Sequence, residues 1–363
     1  MTQRVYNFSP GPAILPEEVL KKAQEELLAL PDIGMSVLEI SHRSAAFEEI
    51  LRTAEANIRQ LYQLPKNYHV LFLQGGSRLQ FSMVPMNLLA GAGADYLITG
   101  SWSKKALDEA RREGDITVAW DGAETNYDRL PAADDFLCAP EAAYCYYTSN
   151  ETIQGVQFQS EPDSAGVPLV CDASSDFFSR PLDIERYGLI YACAQKNAGP
   201  AGVTVVILRD DLLARCPDSL PGMLNYKNHV EGDSRYNTPP VFGIYILKLV
   251  TEWLLGNFGS LDEVAKRNRV KAELLYNVVD ESKGFYIGHA QRDCRSMMNV
   301  TFRLADEDLQ AEFLKQAADQ RLVELKGHRS VGGFRASIYN AMPTAGVEAL
   351  AAHMRAFAQQ HAG

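Results

Sequence analysis

The sequence predicts an α/β fold: a large domain on a mostly parallel sheet, and a smaller α/β unit after it. Three observations carry this. Short apolar runs over 69–73, 94–98, 115–119, 143–147, 168–171, 189–193 and 203–208 recur between stretches that are largely helical in period, as in a doubly wound sheet. The alternation restarts near residue 298, with strands over 298–303 and 334–339 and helices over 306–318 and 344–360. A chain of 363 residues is also longer than one core usually organises. The expected division is a large domain over 16–260 and a small one made of 1–15 and 261–363.

In chain order, residues 1–15 read as an extended arm with a turn at Ser9–Pro12. Pro16 opens a helix, and Val19, Leu20, Ala23, Leu27 and Leu28 fall on its apolar face. Residues 33–42 carry no period. Ser44 stands as an N-cap before Phe47, Ile50, Leu51, Ala54, Ile58 and Leu61, a seam at helical spacing. After the first strand, Gln74–Arg78 is a glycine-containing loop, and 79–89 is helical with a kink expected at Pro85. A helix over 103–113 separates two further strands. Residues 132–140 show no pattern. The long helices over 241–255 and 261–279 are expected to leave the sheet domain.

Composition narrows the function. Apolar residues at 46% and charged residues at 22% are ordinary for a globular protein. A net charge of −11 argues against nucleic acid or an anionic membrane surface as partner, while leaving room for a basic cleft. The six cysteines, at 138, 145, 171, 193, 216 and 294, form no C-x-x-C. Cys145, Cys171 and Cys193 lie in apolar runs as small core residues, which suits a reducing cytoplasm. The first residues, MTQRVYNFSPGP, lack the basic and apolar stretches of a signal peptide, and no run approaches the roughly 18 apolar residues of a membrane span. No metal site is expected.

The stretch YACAQKNAGPAGVTVVIL, 191–208, places Lys196 between two apolar strands. Gly199, Pro200 and Gly202 forbid a helix there and force a tight reversal. An amine on a short stiff connection is suited to condense with an aldehyde, although a lysine in a hairpin is more often a surface residue. One strand earlier, Asp172 ends the run PLVCD. Ligand crevices of open α/β sheets lie outside the carboxyl ends of the strands. Pyridoxal phosphate chemistry needs this pair, a lysine for the aldehyde and a carboxylate that keeps the pyridine nitrogen protonated. Asp172 alone is equally a helix cap for the segment that follows.

The motifs FSPGPAILP (8–16), SHRS (41–44), QGGSRLQF (74–81), GSWS (100–103), SNETIQG (149–155), CDASSDFFSRPLDI (171–184), AQKNAGPAG (194–202), YNTPP (236–240) and KGHRSVGGFRASIYNAMP (326–343) resemble the phosphoserine aminotransferase family. These are class V, fold-type I enzymes that use pyridoxal 5'-phosphate, and the likeness extends nearly end to end. It implies a mostly parallel, mixed seven-stranded sheet with a smaller C-terminal α/β domain. It implies reversible transfer of an amino group from L-glutamate to 3-phosphooxypyruvate, a step of serine biosynthesis. Some bacterial members also act on a phosphorylated hydroxythreonine precursor in pyridoxine biosynthesis. A homodimer with active sites at the subunit interface is implied too.

Residue by residue, the resemblance makes Lys196 and Asp172 catalytic and gives the cofactor phosphate to Ser77, Arg78 and Gln195. It stacks Trp102 on the cofactor ring and aims Thr152 at the ring oxygen. It sends Asn237 and Thr238 to the cofactor phosphate of the other subunit. Thr238 also reads locally as a cap for the next helix. The substrate groups are basic: His42, Arg43, Arg78, His328 and Arg329 suit a phosphate or second carboxylate, and Arg335 suits an α-carboxylate. Pro10 departs from a serine found in some relatives, with Ser9 a candidate substitute, and Ser77 and Leu79 stand where some have glycine. Other class V activities keep the lysine and aspartate. An alanine–glyoxylate or serine–pyruvate aminotransferase would not need both His-Arg pairs, and a cysteine desulfurase needs a mobile thiol, for which Cys294 is the distal candidate. A non-catalytic binder of phosphorylated metabolites would explain the basic loops but not Lys196 with Asp172.

Overall fold

A computed structural model of the chain describes residues 4–361. Seven strands form the main sheet in the order Tyr68–Leu73, Thr204–Arg209, Tyr187–Cys193, Leu169–Asp172, Cys145–Thr148, Ala94–Ile98, Ile116–Asp121. Thr204–Arg209 runs antiparallel to both neighbours; every other pairing is parallel. The sheet is buried on both faces, so its strands read as continuous apolar runs. Side chains still alternate. Val70, Phe72, Val205, Ile207 and Ile190 enter one core, and Leu71, Leu73, Val206, Leu208 and Leu189 enter the other.

The helix Ala45–Tyr62 begins where Ser44 Oγ accepts the Phe47 N–H, as its sequence signals. Glu17–Glu26 follows Pro16, but only part of its expected apolar face is covered: Val19 and Ala23 are buried, while Leu28 is 89% exposed. Leu27, Ile33, Met35 and Leu38 continue that exposed stretch. The helix expected over 79–89 starts earlier, at Gly76. Ser77 and Arg78 are therefore in its first turn rather than in a loop. The helix expected over 103–113 runs Ser101–Ala110, and Trp102 belongs to it.

Val241–Phe258 corrects two expectations. It does not leave the large domain: Ile244, Leu247, Val250 and Leu254 fill the same core as Ala54 and Ile58, and Asn57 Nδ2 donates to Thr251 Oγ1 at 3.0 Å. Its 18 residues are also as long and apolar as a membrane span, yet half of the helix is buried inside the protein. Thr238 caps nothing; Pro240 stands at the N-cap position without a side-chain bond. Leu261–Glu281 bridges the two parts, with Leu261 and Val264 in the large core and Ala272, Leu275 and Val279 in the small one.

The smaller unit is an antiparallel sheet of Tyr286–Gly288, Asn299–Leu304 and Phe334–Ser337. Gln310–Asp319 and Thr344–His361 cover it. Tyr286–Gly288 had no sequence signal beyond three residues between turns. Tyr6–Asn7 of the arm pairs in parallel with Leu322–Val323, and Ser337 N donates to Phe8 O at 3.2 Å. The arm then crosses back, and Ala13 N donates to Gln195 O at 2.9 Å. Both ends of the arm are thus fastened, one to each part.

Candidate active site

The strands ending at Leu73, Ile98, Thr148, Asp172 and Cys193 put their carboxyl ends along one edge, and the next residues of each line a cavity of about 450 Å³. Gly75–Arg78, Trp102, Lys105, Thr152, Asp172, Gln195 and Lys196 come from the large sheet. His328 and Arg335 come from the small unit, and Pro10 and Gly11 from the arm.

Lys196 sits in the connection between two antiparallel strands, where Gly199 N and Ala198 N both turn back to Ala194 O at 2.7 and 3.1 Å. Its neighbours fix that turn. Gln195 O holds the arm, Asn197 Nδ2 donates to Phe177 O at 2.7 Å, and Asn197 Oδ1 accepts Asn340 N at 2.9 Å. The Lys196 Nζ donates to Thr152 Oγ1 at 2.9 Å and lies 5.0 Å from the centroid of the Trp102 ring. Gly11 lies at φ 148°, where other residues are strained, and a Cβ there would come within 3.3 Å of Lys196 Cγ, so the arm passes most easily there as glycine.

Asp172 is buried at the end of its strand. No helix follows it; Oδ1 instead accepts Ser174 N at 2.9 Å in a turn. Tyr191 is its register partner on the next strand, and that hydroxyl is bonded to Tyr146 at 2.9 Å. Burial pushes the Asp172 carboxyl up, while the Lys196 ammonium, Ser174 and Tyr191 pull it back.

The two helices at the cavity start differently. The carboxylate of Glu151, fully buried, accepts Trp102 N at 2.9 Å, Ser103 N at 2.8 Å and Ser103 Oγ at 2.8 Å. Gly100 leaves room for it, since a Cβ there would be 2.5 Å from Glu151 Cδ. The helix Gly76–Leu88 has no side-chain cap; Gly75, in the left-handed region at φ 94°, leaves its first N–H groups facing the cavity without one. Leu79 depends on that glycine too, because a Cβ at Gly75 would lie 2.7 Å from Leu79 Cβ. Ser77 Oγ bonds Ser174 Oγ at 2.7 Å, tying the same loop to the Asp172 turn.

Arg335 is 7% exposed, the second residue of its strand, and its guanidinium makes no hydrogen bond or ion pair among the described residues. His328 Nδ1 bonds Ser330 Oγ at 2.7 Å. Burial and the charges of Arg335, Lys105 and Arg329 hold its ring below the usual histidine range. Arg78 is exposed at the rim. Arg329 is exposed and does not line the cavity, but its charge reaches His328 and Lys105.

Besides Arg329, four expected residues are not brought to this cavity. His42 and Arg43 lie in the turn before Ser44. Asn237 Nδ2 donates to Gln74 Oε1 at 3.0 Å and Thr238 O accepts Gln74 Nε2 at 3.2 Å, just outside it. Ser9 is no substitute for a cavity hydroxyl, because its Oγ faces Gly11 N at 3.5 Å and Pro10 and Gly11 line the space. The sequence reading missed Glu151, Tyr191 and Lys105. Lys105 had a signal, standing three residues after Trp102 on one helix face. Glu151 had only its place in SNET beside Thr152.

The residues present fit a phosphorylated pyridine aldehyde. An uncapped helix start suits its phosphate, a buried carboxylate its ring nitrogen, a flat indole its ring and an amine its aldehyde.

A family model described as aminotransferase class-V matches residues 5–350, and the chain belongs to that class. A phosphoserine aminotransferase of Rhodopirellula baltica is 56% identical over 99% of this chain and 96% of its own. The solved phosphoserine aminotransferase of Bacillus circulans subsp. alkalophilus superposes with a TM-score of 0.96 at 50% identity, covering 99% of both chains. A pyridoxal-phosphate-bound phosphoserine aminotransferase from Trichomonas vaginalis gives 0.92 at 40% identity, over 97% of this chain and 100% of that one. Within class V the chain therefore belongs to the phosphoserine aminotransferase family, whose cofactor is pyridoxal phosphate.

Proposed function

We propose that this chain transfers the amino group of L-glutamate to 3-phosphooxypyruvate, reversibly, giving 2-oxoglutarate and O-phospho-L-serine. One observation carries this: an amine and a buried carboxylate share a cavity with Arg78, Lys105, His328 and Arg335, and among the described residues no acidic side chain pairs with those basic groups. Substrates with an anion at each end match that imbalance. Bound pyridoxal phosphate supplies the aldehyde and the electron-accepting ring. Asp172 would hold the ring nitrogen protonated, Trp102 the ring face, Thr152 the ring oxygen, and Ser77, Arg78 and Gln195 the phosphate. Lys196 Nζ would serve as the general base that takes the proton from the substrate Cα and, as its conjugate acid, would give it back in the reverse direction. Arg335 takes the α-carboxylate; His328, Arg329 and Arg78 take the far end.

His42, Arg43, Asn237 and Thr238 serve a neighbouring subunit in this reading. Support comes from the exposed apolar stretch Leu27, Leu28, Ile33, Met35 and Leu38, which leads directly to His42 and Arg43. The division into 16–260 and 1–15 with 261–363 is supported by a separate core holding Phe8, Ile14 and residues 272–357. Six free, buried thiols support a reducing, cytoplasmic setting. Cys294 does not suit a desulfurase: its thiol is buried, hydrogen-bonded to Asp128 O at 3.3 Å and pushed up to about 12 by burial. The test is a screen of amino donors against the cofactor-loaded protein, reading the cofactor's absorbance. O-Phospho-L-serine and L-glutamate are expected to convert it, and L-alanine, L-serine and L-cysteine to be poor donors; a preference for alanine would overturn the proposal.

A further inference from the structure

We propose that Lys105 binds the far anionic group of the substrate and makes the site prefer a doubly charged phosphate to a singly charged carboxylate. This rests on the function proposed above and goes beyond it by adding a residue to the recognition of that group.

Trp102 and Lys105 occupy one face of the helix Ser101–Ala110. The Lys105 Nζ lies 4.3 Å from the Trp102 ring centroid, and the Lys196 Nζ lies 5.0 Å from the same ring. Both residues line one cavity. Lys105 makes no hydrogen bond and no ion pair with any carboxylate among the described residues. The carboxylate that its charge senses, Glu151, is already committed to Trp102 N, Ser103 N and Ser103 Oγ.

Two terms oppose a charge at Lys105. The residue is half-buried, and burial disfavours its charged form. Its charged neighbours Arg78, Arg329 and Lys196 are also cations. A cation left without a protein anion against these terms is satisfied by an anion that arrives. The two amino donors share an amine and an α-carboxylate and differ at the far end, phosphate against carboxylate. Arg335, buried on the small-unit side, suits the shared carboxylate. Lys105, across the cavity with Arg78 and His328 nearby, meets the end that differs. A charge there attracts a dianion about twice as strongly as a monoanion.

The test compares Lys105→Met with wild type in the two half-reactions, each followed by the absorbance of the bound cofactor. Methionine keeps an apolar stem on Trp102 and removes the charge. A lost charged hydrogen bond predicts a KM for O-phospho-L-serine raised about 10- to 100-fold, with the KM for L-glutamate changed by less than about threefold. Inorganic phosphate, used as a competitive probe, is expected to inhibit the variant more weakly, and Lys105→Arg is expected to keep the preference. Equal shifts for both donors, or none, would overturn the proposal. Failure of both Lys105→Met and Lys105→Gln to take up cofactor would overturn it as well, by making the lysine a cofactor support. A wild-type protein that does not act on O-phospho-L-serine would instead refute the proposed function itself.

Discussion

Arg335 should destabilise the empty protein and be indispensable to the working one. The guanidinium is buried, and among the described residues its Nε has no partner and no acidic group answers its charge. Burial also depresses its proton affinity, which has the same physical cause. A buried donor left unsatisfied costs about 1–3 kcal/mol. Replacing Arg335 by methionine removes that penalty while keeping much of the side-chain volume. Unfolding entropy of roughly 2.1 cal/mol/K per residue gives about 0.76 kcal/mol/K for 363 residues, so the expected rise in Tm is about 1–4 °C.

The same substitution removes the fork that takes the α-carboxylate. One or two charged hydrogen bonds at about 1.5–3 kcal/mol each predict kcat/KM lower by about 10- to 10⁴-fold, equally for L-glutamate and O-phospho-L-serine. The assay pairs calorimetry of the cofactor-free protein with the two half-reactions. A lower Tm with unchanged KM values for both donors would show that the arginine is a structural group and would sink this account. The contrast with Lys105 is internal to the site: one residue is expected to affect both donors alike, the other mainly one.

Three further outcomes follow from the geometry. Lys196→Ala should lose the visible band of the bound cofactor, and turnover should fall by about 10²–10⁴ or more; retained activity would refute the assignment. Glu151→Gln puts an amide N–H against the Trp102 or Ser103 N–H, so a loss of about 1–3 kcal/mol and a Tm lower by about 1–4 °C are expected, along with altered Trp102 fluorescence. An unchanged spectrum would show that the carboxylate does not set the indole. His353 is buried, and burial holds its ring below the usual histidine range. The unfolded chain gains that proton near pH 6.5 and the folded chain resists it, so this contribution is full above about 6.5 and is lost as pH falls below it. Tm measured from pH 7 to 5 should fall less steeply in His353→Gln; identical slopes would count against it.

What the sequence made legible followed from periodicity and from local chemistry. Seven apolar runs located seven strands because a sheet covered on both faces needs nothing else from its residues. Lys196 and Asp172 were legible because a stiff turn and a strand end each have a residue-level signature. Helix starts were less so. Gly76, Ser77 and Arg78 look like loop residues, and the absence of a cap marks where a helix faces a phosphate rather than where it begins. Val241–Phe258 was misassigned because an apolar helix carries no label for which core will cover it; Ala45–Tyr62 supplies that cover from far upstream.

Glu151 and Lys105 expose the deeper limit. Each is unremarkable along the chain, one a glutamate in a polar turn, the other a lysine in a helix. Their roles exist only when the strand end at Thr148 and the helix after Ile98 are set side by side, because the carboxylate of one is then consumed by the N–H groups of the other. That pairing is what leaves the Lys105 ammonium without an anion. A charge imbalance is a property of a cavity rather than of a motif, so it becomes visible only after the donors and acceptors around it have been matched.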